Sequence, residues 1–180
     1  MRVPGGPRVT SLAREPRGQR IAAGIDNGQV VVWELREDVP HLVREFQVPH
    51  NSRVWSLSWS AERRWLVAGL ADGSVEAIEF NGTRRLNTGH QAWPTRPIAV
   101  SPDGRWVASA GESGPQGHSI HIVPFDGVTQ QRPPDSRRLL NAHSEPITGL
   151  VFTPDGRYLI SASEDGTVKR WRFNTRLSSR

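Results

Sequence analysis

Residues 153–171 read TPDGRYLISASEDGTVKRW. Two turn signals punctuate this stretch. In Pro154-Asp155-Gly156, proline presets φ for a turn that Asp and Gly complete. Asp165-Gly166 is a two-residue signal of the kind that takes positive φ and closes a tight hairpin. Between them, Tyr158 to Ser163 reads as a strand. Upstream, Ile147 to Phe152 alternates apolar with small or polar residues and reads as another. Downstream, Thr167 to Arg172 makes a third, with Val168 and Arg170 on one face and Lys169 and Trp171 on the other.

The same pattern recurs along the chain. Residues 9–33 (VTSLAREPRGQRIAAGIDNGQVVVW) and 54–78 (VWSLSWSAERRWLVAGLADGSVEAI) align without a gap to residues 147–171. A further copy starts near Thr95, runs through SPDGRWVASAG, and needs a four-residue insertion within GESGPQGHS before Ile122 and Val123. Each of the first three copies, in chain order, is followed by a weaker fourth strand: Leu42 to Val48, Thr83 to Asn87 and Arg137 to Asn141. Starts at 9, 54, 95 and 147 give a period near 45 residues. Self-similarity at that period, built from short strands, is the signature of propeller blades. No segment has a convincing helical period. The expected fold is all-β: one partial propeller over residues 1–180, with blades near 9–48, 54–88, 95–141 and 147–172.

At this point the resemblance is specific. His143, Ser161, Asp165 and Trp171 follow the pattern of the WD-repeat β-propeller family across most of the chain, residues 9–172. The resemblance implies that these four side chains form a structural hydrogen-bond tetrad. The other copies depart from it. The first keeps Trp33 but has Ala23 and Asn27. The second keeps His50 and Asp72 but has Ala68 and Ile78. The third keeps His90 and Ser109 but has Ser113 and Val123. Those three blades are expected to rely on apolar packing.

Ser161, His143 and Asp165 are also the residue types of a hydrolytic triad. A triad needs an exposed Ser beside oxyanion donors, whereas Ser161 sits mid-strand where the repeat predicts burial, so no catalytic residue is assigned. His118 and His121 are three apart on a strand and so face opposite ways, which is poor chelating geometry; no metal and no cofactor are expected. The glycines serve hairpins, and no phosphate-cradling loop of Walker or Rossmann type appears.

The chain has 180 residues, 36% hydrophobic, with formal net charge +5 and no Cys. Zero Cys excludes disulfides and thiolate metal sites. There is no apolar run long enough for a membrane helix and no signal-peptide core near residue 1, so a cytoplasmic address is the default. Of 23 basic residues only Lys169 is a lysine. The arginines are scattered among acidic residues, which disfavours nucleic-acid binding.

In a four-stranded up-and-down blade, loops entering the first strand share one end with the second-to-third turns. The resemblance implies that this end binds peptides or partner domains. It should carry Arg53, Trp93 and Glu145, then Asp26, Ala71, Glu112 and Glu164, and the insertion from Gly114 to His118. Trp55, Trp59, Trp65 and Trp106 lie within strand patterns and are assigned to the core. Residues 125–136 form a long connection at the other end. The reading is a protein-interaction scaffold. Four blades make an open arc with two uncovered faces and a bare strand edge. Such an arc predicts self-association into an eight-bladed ring, or a fragment of a larger signalling or regulatory protein; the start without a first His favours the fragment.

Overall fold

The computed structural model describes residues 6–16, 18–36, 39–82, 85–90, 95–111, 118–125 and 137–173. It contains four antiparallel sheets. The first holds β1 (Val9–Arg14), β2 (Arg20–Ile25), β3 (Gln29–Arg36) and β4 (Val39–Gln47); the second holds β5 (Val54–Trp59), β6 (Trp65–Leu70), β7 (Ser74–Glu79) and β8 (Arg85–His90). The third holds β9 (Thr95–Val100), β10 (Trp106–Gly111), β11 (His118–Pro124) and β12 (Arg137–His143). The fourth has, among the described residues, three strands: β13 (Ile147–Phe152), β14 (Tyr158–Ser163) and β15 (Val168–Arg172). Strands follow one another in chain order within every sheet, which is blade topology.

The turn chemistry explains the hairpins. Gly28, Gly73 and Gly166 take φ of 84°, 88° and 79°, values a Cβ would strain. Asp165 Oδ1 accepts from the Thr167 amide and hydroxyl, locking the last of these turns.

Equivalent registers expose how the blades stack. Ala22, Val30 and Val32 of the first blade meet Leu57, Leu66, Ala68 and Ile78 of the second in one apolar cluster. Val67, Val75 and Ala77 on the reverse of the second blade meet Ile98 and Val107 of the third. Ala108, Ile120 and Ile122 of the third then meet Phe152 and Leu159 of the fourth. Each Val, Leu, Ile or Phe among them, once fully buried, contributes about 1.5–3 kcal/mol, and each Ala less. The first junction is close: a Cβ on Gly24 would collide with Val54 and Ser11.

The two ends of the row differ from its interior. On the first blade's outer face, Leu12 is 67% exposed, while Ala23, Ile25, Val31 and Trp33 pack among themselves. On the outer face of the fourth, Val168 is 71% exposed, although its register equivalents Val30, Val75 and Ile120 are buried.

Every inner strand carries a register shift at one place, between Val9 and Ser11, between Val54 and Ser56, before Ile98, and between Ile147 and Gly149. A bulge re-aims the side chain that it displaces. Sequence alternation does not reveal it, and it alters one expectation. Trp59, Trp65 and Trp106 are buried, but Trp55 stands at a bulge and is half-buried.

Candidate functional site

Two places gather polar chemistry: the side-chain network inside the fourth blade, and the loop end of the row.

In the fourth blade, His143 closes β12's run and Ser161 lies mid-β14, with Trp171 opposite Leu159 on β15. The Trp171 Nε1–H donates to Ser161 Oγ at 2.9 Å. Ser161 Oγ lies 2.7 Å from His143 Nε2, and His143 Nδ1 lies 2.8 Å from Asp165 Oδ2. One tautomer satisfies every atom: the ring proton sits on Nδ1 and donates to the carboxylate, and Nε2 accepts the Ser161 hydroxyl. Asp165 Oδ2 also accepts from the Ser144 amide. The Thr167 hydroxyl is the largest influence holding the Asp165 carboxyl below its ordinary value, with the His143 hydrogen bond and the Thr167 and Ser144 amides adding to it. Ser161 is 0% exposed and already accepts a proton while giving one. Its Oγ is enclosed in the blade, where an acyl substrate has no approach.

The partial copies are arranged differently. Trp33 is buried on the first blade's outer face, and Ser109 is buried in β10. His50 stands on a short 3-10 turn, Pro49–Asn51, with φ of 55°, and its ring is exposed. The turn directs it away from Asp72, whose amide instead receives the Ser52 hydroxyl oxygen as acceptor. Ala68 and Ile78 stand at the registers of Ser161 and Trp171, and neither side chain can hydrogen-bond. His90 ends β8, and its side chain lies outside the described residues.

At the loop end, backbone bonds tie the entry loops of the first, second and fourth blades to their second-to-third turns. The Asp26 amide donates to the Arg8 carbonyl, the Ala71 amide to Arg53, and the Glu164 amide to Pro146. Ser163 Oγ donates to the Glu145 carbonyl. Asp26, Arg53, Ala71, Glu145 and Glu164 therefore share one end, while Trp93, Glu112 and residues 114–117 lie outside the described residues. A cleft of about 210 Å³ opens there between the third and fourth blades, lined by Arg96, Pro97, Ala110, Gly111, His118, Pro146, Ile147 and Glu164. Arg53 and Arg96 both lie against the indole of Trp55, at 5.0 and 4.6 Å from its centroid. Sequence reasoning named Arg53 but missed Arg96, because the displaced register that aims it is invisible in strand alternation. Among the described residues no group of three or more His, Cys, Asp or Glu could hold a metal ion, and no helix is long and apolar enough to cross a membrane.

A family model described as WD domain, G-beta repeat, matches residues 41–76 and 135–172. Periodic tryptophan protein 2 of Arabidopsis thaliana is 24% identical over 91% of this chain and 17% of its own length. The LST8 homolog of Drosophila melanogaster is 27% identical over 91% of this chain and 51% of its own length. Eukaryotic translation initiation factor 3 subunit I of Drosophila grimshawi is 25% identical over 93% and 52%. The chain thus spans between less than a fifth and about half of these relatives. Among solved structures, the computationally designed Ika4 protein superposes with a TM-score of 0.70 at 22% identity, covering 93% of this chain and 92% of that one. Repeats in sequence, blades in structure and these likenesses agree: the chain carries WD-type repeats, matched over residues 41–76 and 135–172, and is similar to WD-repeat proteins along most of its length.

Proposed function

We propose that the chain is a non-catalytic protein–protein interaction scaffold that works in the cytoplasm. One observation carries this reading. The residues with catalytic potential are held in a mutually satisfied network inside the fourth blade, whereas Arg53, Glu145 and Glu164 stand exposed on the loop end. A scaffold needs that division: an interior that holds the blades, and an end free to vary. Arg53, Asp26, Glu145 and Glu164 are the partner-facing residues, and Trp93 and Glu112 belong to the same proposal by sequence position. The relative named as a translation initiation factor subunit is, by that name, part of a larger assembly. Cross-linking in cell extract tests the reading. Partner cross-links should map to the Arg53, Glu145 and Glu164 end, and Glu145→Lys with Glu164→Lys should abolish them while the circular dichroism spectrum is retained. Cross-links confined to other surfaces would refute it.

A second reading, self-association, is favoured by the exposure of Leu12 at 67% and Val168 at 71% on opposite outer faces, with Ala23, Ile25, Val31 and Trp33 of the first face already buried. In the interior these faces pack on one another, so two chains can close a ring by repeating the same junction twice. Light scattering on the eluted 20.0 kDa chain should give twice the monomer mass, and Val168→Asp should return it to monomer. A wild-type monomer at high concentration would dismiss this reading.

A further inference from the structure

The register shift in each inner strand displaces an equivalent residue in every blade: Thr10, Trp55, Arg96 and Thr148. In the first and fourth blades it performs a folding task. The Thr10 hydroxyl is within hydrogen-bond reach of the Val54 and Gly24 carbonyls, and the Thr148 hydroxyl lies 3.5 Å from the Ala162 carbonyl. In the second and third blades Trp55 and Arg96 cannot do this, and they stack on each other instead, joined by Arg53. Two guanidiniums are thereby held against one ring. Like charges placed together raise each other's energy, and no ion pair offsets them: neither Arg53 nor Arg96 is within ion-pair distance of a carboxylate among the described residues. Both are exposed. The buried Trp55 Nε1 has no acceptor among the described residues. Stacking also fixes the guanidinium planes, so less side-chain freedom is lost when they grip an oxyanion.

From the structure we infer that Arg53, Trp55 and Arg96 form a seat for an oxyanion on a bound acidic peptide. This rests on the scaffold reading and names the ligand's chemistry. Planar, bidentate pairing is what carboxylate and phosphate offer to arginine. Arg96 also lines the 210 Å³ cleft, together with Pro97, Ala110, Ile147 and Glu164. That cleft is below the drug-type range of about 300–1,000 Å³, and Pro97, Ala110 and Ile147 in its lining suit one aliphatic side chain. An extended peptide would therefore present an acidic residue at the arginines, an aliphatic residue in the cleft, and a basic residue toward Glu164.

The test is fluorescence anisotropy at about 0.15 M salt, where long-range charge effects are largely screened. The probe is a fluorescein-labelled nonapeptide carrying two glutamates, a valine and an arginine in a Gly-Ser background. A matched peptide with glutamines and one with phosphoserines complete the set. Saturable binding of the glutamate or phosphoserine peptide, at least tenfold tighter than the glutamine peptide, is expected; which binds tighter assigns the oxyanion. Arg96→Gln and Trp55→Leu should each weaken it at least fivefold, and Arg157→Gln, in a turn at the opposite end, should not. Equal affinity for the glutamine peptide overturns the inference, as does an equal loss in Arg157→Gln. Tighter, Arg96-dependent binding of a single-stranded oligonucleotide also overturns it. A chain that ignores the peptides yet keeps partner cross-links at Glu145 and Glu164 loses this inference alone and leaves the scaffold reading standing.

Discussion

The second and fourth blades begin from the same repeat and use it differently. In the second, all six residues of β6 are buried, and a neighbour covers each face. In the fourth, β15 alternates between exposed and half-buried, since only the face toward the third blade is covered. At matching registers the second blade places Ala68 and Ile78 where the fourth places Ser161 and Trp171. Both solutions lie on the same face, with Ala68, Ile78 and Ser161 buried and Trp171 half-buried. The difference teaches that the polar network is one way of filling a blade, and that two apolar neighbours are another. Apolar packing is forgiving of chemistry but sensitive to volume. A buried network is the reverse, because each member depends on its partners.

The largest expected effect breaks the apolar side. Leu66 is 0% exposed between the first and second blades, and Leu66→Ala should cost about 2–5 kcal/mol through lost burial and the cavity left behind. Urea denaturation monitored by tryptophan fluorescence reads it. Next, Ser161→Ala should cost about 2 kcal/mol, since His143 Nε2 and Trp171 Nε1 lose their shared partner. In a melting curve that is roughly 2–4 °C for each kcal/mol. A cost near zero would mean that the fourth blade is held as the second one is.

A paired substitution sharpens the comparison. Val75→Thr and Val168→Thr make one chemical change at one register. Val75 is 2% exposed and Val168 is 71% exposed. The first should cost about 1–2 kcal/mol for a buried hydroxyl, and the second under about 0.5 kcal/mol. Equal costs would show that something covers the outer face of the fourth blade in solution.

The smallest effect is a pH dependence confined to the fourth blade. The folded Asp165 carboxyl is held below its ordinary value, 3.8, by hydrogen bonds from Thr167 and His143. Its contribution is present above the unfolded value and fades as pH falls below about 4. Asp165→Asn should flatten the acid limb of stability against pH, and an unchanged limb would remove Asp165 from that role.

Much of this architecture was legible in the sequence, and the reasons are local. Asp165-Gly166 and Pro154-Asp155-Gly156 carry turn geometry in their own covalent structure, so strand boundaries follow wherever such pairs recur. The tetrad residues were legible because each sits at a fixed offset from those turns. His50 shows where offsets stop: it holds the same place before its first strand as His143, yet a short 3-10 turn swings its ring outward. Trp55 shows a second limit. A strand pattern assigned it to the core, and one displaced residue in the backbone put it beside two arginines instead. Neither event leaves a trace in composition or alternation, because both are decided by local backbone geometry, positive φ at His50 and Asn51 in one case and a register shift at Trp55 in the other.

The recurring shift in the inner strands has an evolutionary corollary. It gives each blade one address whose occupant can be exchanged without disturbing the hairpin ladder on either side. A lineage could rewrite that address blade by blade, trading threonine for an aromatic or a cation, and acquire new recognition while the stacked sheets stay as they were.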